Sequence, residues 1–141
     1  MKILLDTTLL LWALTNDRRL PDRARRMIEN EKNEVYYSVI SLWEVQRIHL
    51  MRKKEGIPGA ADVASYCEEA GFRKLGITEA QAAGADSLFF EGKKHPGRSV
   101  LLWMMAAQAA EEDMIFLSAE EDVQDAEDPR ICFAGENRRK G

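Results

Sequence analysis

Asp6, Glu44 and Glu120 carry the chemistry this sequence is equipped to perform. Asp6 directly follows the apolar run Ile3, Leu4 and Leu5, where a buried parallel strand would end. Glu44 lies early in the helical stretch after a second strand, and Glu120, with Glu121 and Asp122 behind it, follows a fourth. If the strands lie parallel, all three positions reach the carboxyl edge of one sheet, where open α/β folds place their ligands. Converging carboxylates repel one another, and a divalent cation is the usual reason to tolerate them. Each acid also has a plainer use. Asp6, with Thr7 or Thr8, can cap the next helix, Glu44 can complement the positive end of its own helix, and most of the nine acids between residues 111 and 128 can face solvent.

The elements that must position these residues read as an alternation of strands and helices. Strand character is strongest at residues 3–5, 34–38, 73–77 and 114–118, with a last candidate at 131–133. Between them, helical patterns run from about 8, 22–32, 41–54, 60–70, 78–89 and 100–112. The third of these offers Leu42, Trp43, Val45, Ile48, Leu50 and Met51 as a broad apolar surface, and His49 reads as a packing or surface histidine. Arg18, Arg19, Arg23, Arg25 and Arg26 form a basic surface that is either a solvated face or a contact for RNA. Such alternation implies an α/β architecture with a mostly parallel sheet of four or five strands covered on both faces.

A chain of 141 residues and 16.0 kDa fits one domain, expected over residues 1–135 with a frayed tail at 136–141. The net charge of −4 argues against a general DNA-coating protein, though not against an enzyme that handles nucleic acid through a local site and a metal. The longest late apolar stretch, residues 100–107, falls far short of the roughly 20 residues that span a bilayer. No membrane association is expected, and the cytoplasm is the expected compartment. Cys67 and Cys132 are too few and too far apart for a disulfide framework or a zinc site.

Three segments resemble one family. LDTTLLLW at residues 5–12 resembles the LDTHxLLW opening of PIN domains, in particular the VapC-like toxins of bacterial toxin-antitoxin pairs. SVISLWEV at 38–45 is similar to that family's SASLWEI segment. AAQA at 106–109 with IFLSAE at 115–120 resembles its IAQA helix and LVTAD strand end. The resemblance implies a PIN-like α/β/α sandwich and a Mg²⁺- or Mn²⁺-dependent endoribonuclease, commonly a homodimer held in check by an antitoxin protein. By position it implies metal-binding and catalytic roles for Asp6, Glu44 and Glu120 and supporting hydroxyls at Thr7 and Ser118.

One acid of the pattern is missing. The family's two aspartates before the IAQA helix fall on Ser99 and Leu102, and no Asp or Glu occurs anywhere between Gly92 and Ala110. Ser99 can bind a metal-bound water but cannot replace a negative charge. The family's histidine after Asp-Thr is Thr8 here, and His95 in the loop before the long helix reads as a surface residue. Two functions follow: a ribonuclease toxin with a reduced metal site, or a PIN-fold RNA- or protein-binding module without catalysis. A receiver-like nucleotide-binding domain would also gather acids at strand ends, but the paired acids and the strand-end lysine that it needs are absent.

Overall fold

A computed structural model describes residues 1–83, 100–124, 126 and 128–135. Five strands form one sheet: β1 (Lys2–Leu5), β2 (Glu34–Ser38), β3 (Arg73–Leu75), β4 (Ile115–Ser118) and β5 (Ile131–Phe133). Their order is β3-β2-β1-β4-β5, and every pairing is parallel. The expected α/β sandwich with four or five strands is therefore present, in its five-stranded form.

Period-two side-chain alternation explains why both faces need cover. Ile3 and Leu5 point to one face, where they join Val35, Tyr37 and Leu117 beneath α1 (Thr7–Thr15), α2 (Asp22–Glu29) and α4 (Ala60–Glu69). Leu4 and Phe116 point to the other, against the long helix α6 (Val100–Glu111). The central strand β1 is thus apolar throughout its buried part, as a strand covered on both sides must be. Strands β2 and β3 extend the sheet to one side of β1, and β4 and β5 to the other. The winding reverses between β1 and β4, which opens a crevice outside their carboxyl ends.

Several helix ends differ from the sequence reading. α2 stops at Glu29 rather than near residue 32. α3 (Val39–Met51) begins directly on its cap, Ser38, whose hydroxyl accepts the Ile40 N–H at 3.0 Å. It ends at Met51, because a separate 3-10 turn, Lys53–Glu55, closes on Gly56 at a φ of +65° that favours glycine. The third strand stops at Leu75, not residue 77. The expected capped helix start does form at α5 (Glu79–Ala83), where the Gln81 N–H donates to the Thr78 hydroxyl and the Thr78 N–H to the Gln81 carboxamide.

The apolar surface assigned to the third helical stretch is only partly core. Val45 is buried, but Trp43, Leu50 and Met51 are 60, 54 and 71% exposed. A 13-residue helix with apolar side chains on most sides cannot bury them all against one sheet. No helix among the described residues is long and apolar enough to cross a membrane. Cys67 and Cys132 are both free thiols. Ser99, His95 and the tail at 136–141 lie outside the described residues.

Candidate carboxylate site

Asp6 sits where β1 gives way to α1, and the cap it forms fixes its side chain. Its Oδ1 accepts the Leu9 N–H at 2.7 Å, satisfying one of the orphan donors of the helix start. Its Oδ2 accepts the Ser118 hydroxyl at 2.5 Å from the end of β4. The backbone adds a clamp, since the Asp6 N–H donates to the Leu117 carbonyl at 3.1 Å. The helix-cap and ligand readings of Asp6 do not compete, because each carboxylate oxygen keeps a second lone pair.

Only 1% of Asp6 is exposed. Burial pushes its carboxyl up from an ordinary 3.8 to about 6, and the Glu120 charge pushes in the same direction. The Ser118 hydroxyl and the N–H groups of Leu9 and Ala119 pull it down but do not win. No Lys or Arg among the described residues forms an ion pair with it.

Glu44 stands at the start of the second turn of α3 and faces the same crevice. The Thr7 hydroxyl donates to its Oε1 at 2.6 Å and lies 2.8 Å from the Ser41 hydroxyl. Since Thr7 has one proton and gives it to the carboxylate, Ser41 donates to Thr7. Glu120 arrives just past β4, accepting the Thr8 hydroxyl at 3.1 Å, while its own N–H donates to Ser118 at 3.0 Å. The side chains of Asp6, Glu44 and Glu120 line one open cleft with a cavity volume of about 370 Å³. Leu102 and Met105 of α6 form its apolar wall, and Arg47 contributes a cation at its rim.

The three expected acids are therefore brought to one cleft, Thr7 and Ser118 support them, and Leu102 lines the same space. Thr8, read from sequence as a helix cap or as the residue in place of a histidine, and Ser41 are further supporting hydroxyls. Arg47 was missed, although it lies one helical turn from Glu44 on α3. Of the described acids after β4, only Glu120 lines the cleft, while Asp128 pairs with Arg130 at 2.8 Å. His49 has a packing role, its Nδ1 being 2.6 Å from the Ile57 carbonyl. The arginine surface is largely engaged: Arg19 pairs with Asp17 at 2.8 Å, Arg25 donates to Asn16 at 2.8 Å, and Arg23 to the Phe133 carbonyl at 3.3 Å.

No three His, Cys, Asp or Glu side chains among the described residues stand close enough together to enclose a metal ion. An open site is a different requirement. Mg²⁺ keeps several waters and uses one or two protein carboxylates, and Asp6, Glu44 and Glu120 all line this cleft. A buried carboxylate with a raised pKa and no cationic partner among the described residues is also a donor that a divalent ion would relieve.

The sequence profile of the PIN domain matches residues 3–129. The chain belongs to the PIN domain family. Solved structures share this PIN fold along nearly their whole length. A toxin-antitoxin complex from Klebsiella pneumoniae aligns with a TM-score of 0.65 at 18% identity, covering 96% of this chain and 99% of that one. DNA-bound VapBC from Salmonella typhimurium gives 0.64 at 17% identity, covering 94% and 98%. VapBC2 from Rickettsia felis, bound to a promoter DNA fragment, gives 0.63 at 14%, covering 97% and 100%. At these identities the likeness is one of fold. No curated protein sequence matches significantly. PIN domain nucleases are generally metal-dependent, which accords with the carboxylates that line this cleft.

Proposed function

We propose that this PIN-domain protein is the VapC-like toxin of a toxin-antitoxin pair and acts as a Mg²⁺- or Mn²⁺-dependent endoribonuclease with one acid fewer than its family. The carrying observation is the buried Asp6 carboxylate, raised to about 6 and without an ionic partner among the described residues, in a cleft it shares with Glu44 and Glu120. The binding-module alternative draws on Leu102 at the missing acid, whereas the three carboxylates gathered in one cleft favour the nuclease. An antitoxin partner, RNA as substrate, a homodimer and a cytoplasmic setting complete the reading. Its support is the family membership and the likeness to chains from VapBC complexes.

Asp6 and Glu44 would hold the cation, with Glu120 as a third carboxylate available to it. When bound, the cation supplies Lewis-acid polarisation of the scissile phosphate and a more acidic water. The chain's own residues prepare the rest. Leu9 N–H and Ser118 fix the plane of the Asp6 carboxylate, Thr7 fixes Glu44, and Thr8 tethers Glu120. Such outer partners orient ligands and set their basicity. Leu102 and Met105 keep one wall dry and place no charge where the family has a carboxylate, so a slower nuclease than a complete site would give is expected.

Cleavage of a structured RNA in Mn²⁺ tests the proposal, with Asp6→Asn as the control. Cation-dependent cleavage by the unaltered chain that the control lacks supports it; identical background cleavage by both sinks the enzyme.

A further inference from the structure

Arg47 lines the cleft, Trp43 lies one turn before it on α3, and both are exposed. Trp43 precedes Glu44 in α3 and leaves 60% of its surface exposed. Arg47, one turn on, lines the cleft and is the only cation among the described residues that do so. Its guanidinium carbon lies 6.0 Å from the centre of the Trp43 ring, the outer limit of a cation–π contact. Among the described residues its one hydrogen-bonding partner is a weak acceptor, the Met51 sulfur at 3.8 Å, and no carboxylate pairs with it.

The other indoles differ. Trp103 is 3% exposed, and half-buried Trp12 lies under Arg19 at 5.1 Å. An indole this exposed beside a guanidinium that no described carboxylate neutralises is open to a ligand that stacks on one and binds the other.

The geometry points to a stacking platform for single-stranded RNA, in which one unpaired base lies on Trp43 and the adjacent phosphate is held by Arg47 at the cleft rim. Charge favours this occupant. Asp6, Glu44 and Glu120 give the cleft a negative interior that repels a phosphate, so an incoming strand needs a positive anchor outside it, and Arg47 is placed there. The indole adds an interaction that every base can make but that a base inside a duplex cannot, because its faces are already covered by its neighbours. The platform thereby selects unpaired segments. It rests on the ribonuclease reading for RNA as the ligand, while its own test requires no cleavage.

The test is titration of the full-length protein, in EDTA, with a single-stranded oligoribonucleotide of about ten nucleotides and separately with the same strand in a duplex. Indole fluorescence should be quenched by the single strand and scarcely by the duplex. Trp43→Ala should remove the quenching and weaken binding roughly 5- to 150-fold, the range for loss of one stacked base, whereas Trp43→Phe retains most of the affinity. Arg47→Ala should weaken binding and lower the slope of log affinity against log salt by about 0.7, the value for one phosphate contact to a single strand. Both side chains are exposed, so these changes leave no cavity, and circular dichroism should be unaltered.

Equal binding of strand and duplex, or unchanged affinity in Trp43→Ala, overturns the platform. So does a Trp43→Ala variant that turns a dimer into a monomer without altering affinity for the strand, which assigns the face to a second copy of the chain. Mn²⁺-dependent cleavage by a Trp43→Ala variant with unchanged affinity leaves the nuclease standing and the platform refuted. Quenching by a chain that never cleaves does the reverse.

Discussion

Replacing Asp6 by Asn removes a charge from a place that water scarcely reaches, and the sign of its effect on stability is opposite to that of most aspartates. Burial raises the Asp6 carboxyl from 3.8 to about 6. The folded state therefore holds the proton more tightly than the unfolded one. Stability associated with this group is greatest below pH 3.8, falls as the pH rises through the window to about 6, and carries the full penalty above it. A shift of about two units at 1.36 kcal/mol each amounts to roughly 3 kcal/mol.

Asn keeps an acceptor for the Leu9 N–H but gives up the acceptor that Ser118 uses, which returns part of the gain. In EDTA at pH 8, Asp6→Asn should be about 1–3 kcal/mol more stable than the unaltered chain in urea unfolding, corresponding to a Tm rise of several degrees. By pH 4 the difference should contract to under about 1 kcal/mol. Mn²⁺ should then stabilise the unaltered chain and leave Asp6→Asn unmoved, because only a state with the ligand gains from binding. A variant that is less stable at pH 8, or a difference that does not change with pH, would refute the buried-charge reasoning.

Two further substitutions test the groups that hold the site. Thr7→Val deletes the 2.6 Å hydrogen bond to Glu44 and should weaken Mn²⁺ binding about tenfold by calorimetry with the fold intact; unchanged affinity would remove Thr7 from the site. Gln108 is buried and joins α6 to the Ser38 hydroxyl at 2.5 Å and to the Gly76 carbonyl at 3.1 Å, so Gln108→Leu strands a buried hydroxyl proton and should cost about 2 kcal/mol in urea unfolding. A loss below about 0.5 kcal/mol would show that Ser38 is satisfied without it.

What sequence reveals here is what local pattern encodes. The apolar runs ending at Leu5, Ser38 and Ser118 locate three strands, and parallel pairing then carries Asp6, Glu44 and Glu120 to one edge without any knowledge of side-chain contacts. Long-range polar pairings are different. Ser38 meets Gln108 across 70 residues, and Thr8 meets Glu120 across 112, and nothing in the neighbourhood of either residue announces its partner. Apolar content misled at α3 for a related reason: a side chain's burial depends on what the helix packs against, and Trp43, Leu50 and Met51 find no cover among the described residues. Arg47 was hidden in plain sight, since an arginine on a helix is ordinary until the opposite wall of the cleft is known.

Leu102 bears most directly on whether this is a metal site short of one acid. It lies in the cleft wall facing the same space as the three carboxylates. The decisive measurement is single-turnover RNA cleavage in Mn²⁺ by Leu102→Asp beside the unaltered chain and the double variant carrying Asp6→Asn, each checked for folding by circular dichroism. Restoring the acid should raise the rate at least about tenfold, equivalent to roughly 1.4 kcal/mol of transition-state stabilisation, and adding Asp6→Asn should abolish the gain. A folded Leu102→Asp that cleaves no faster, or whose gain survives loss of the Asp6 charge, would contradict a carboxylate-held cation in this cleft.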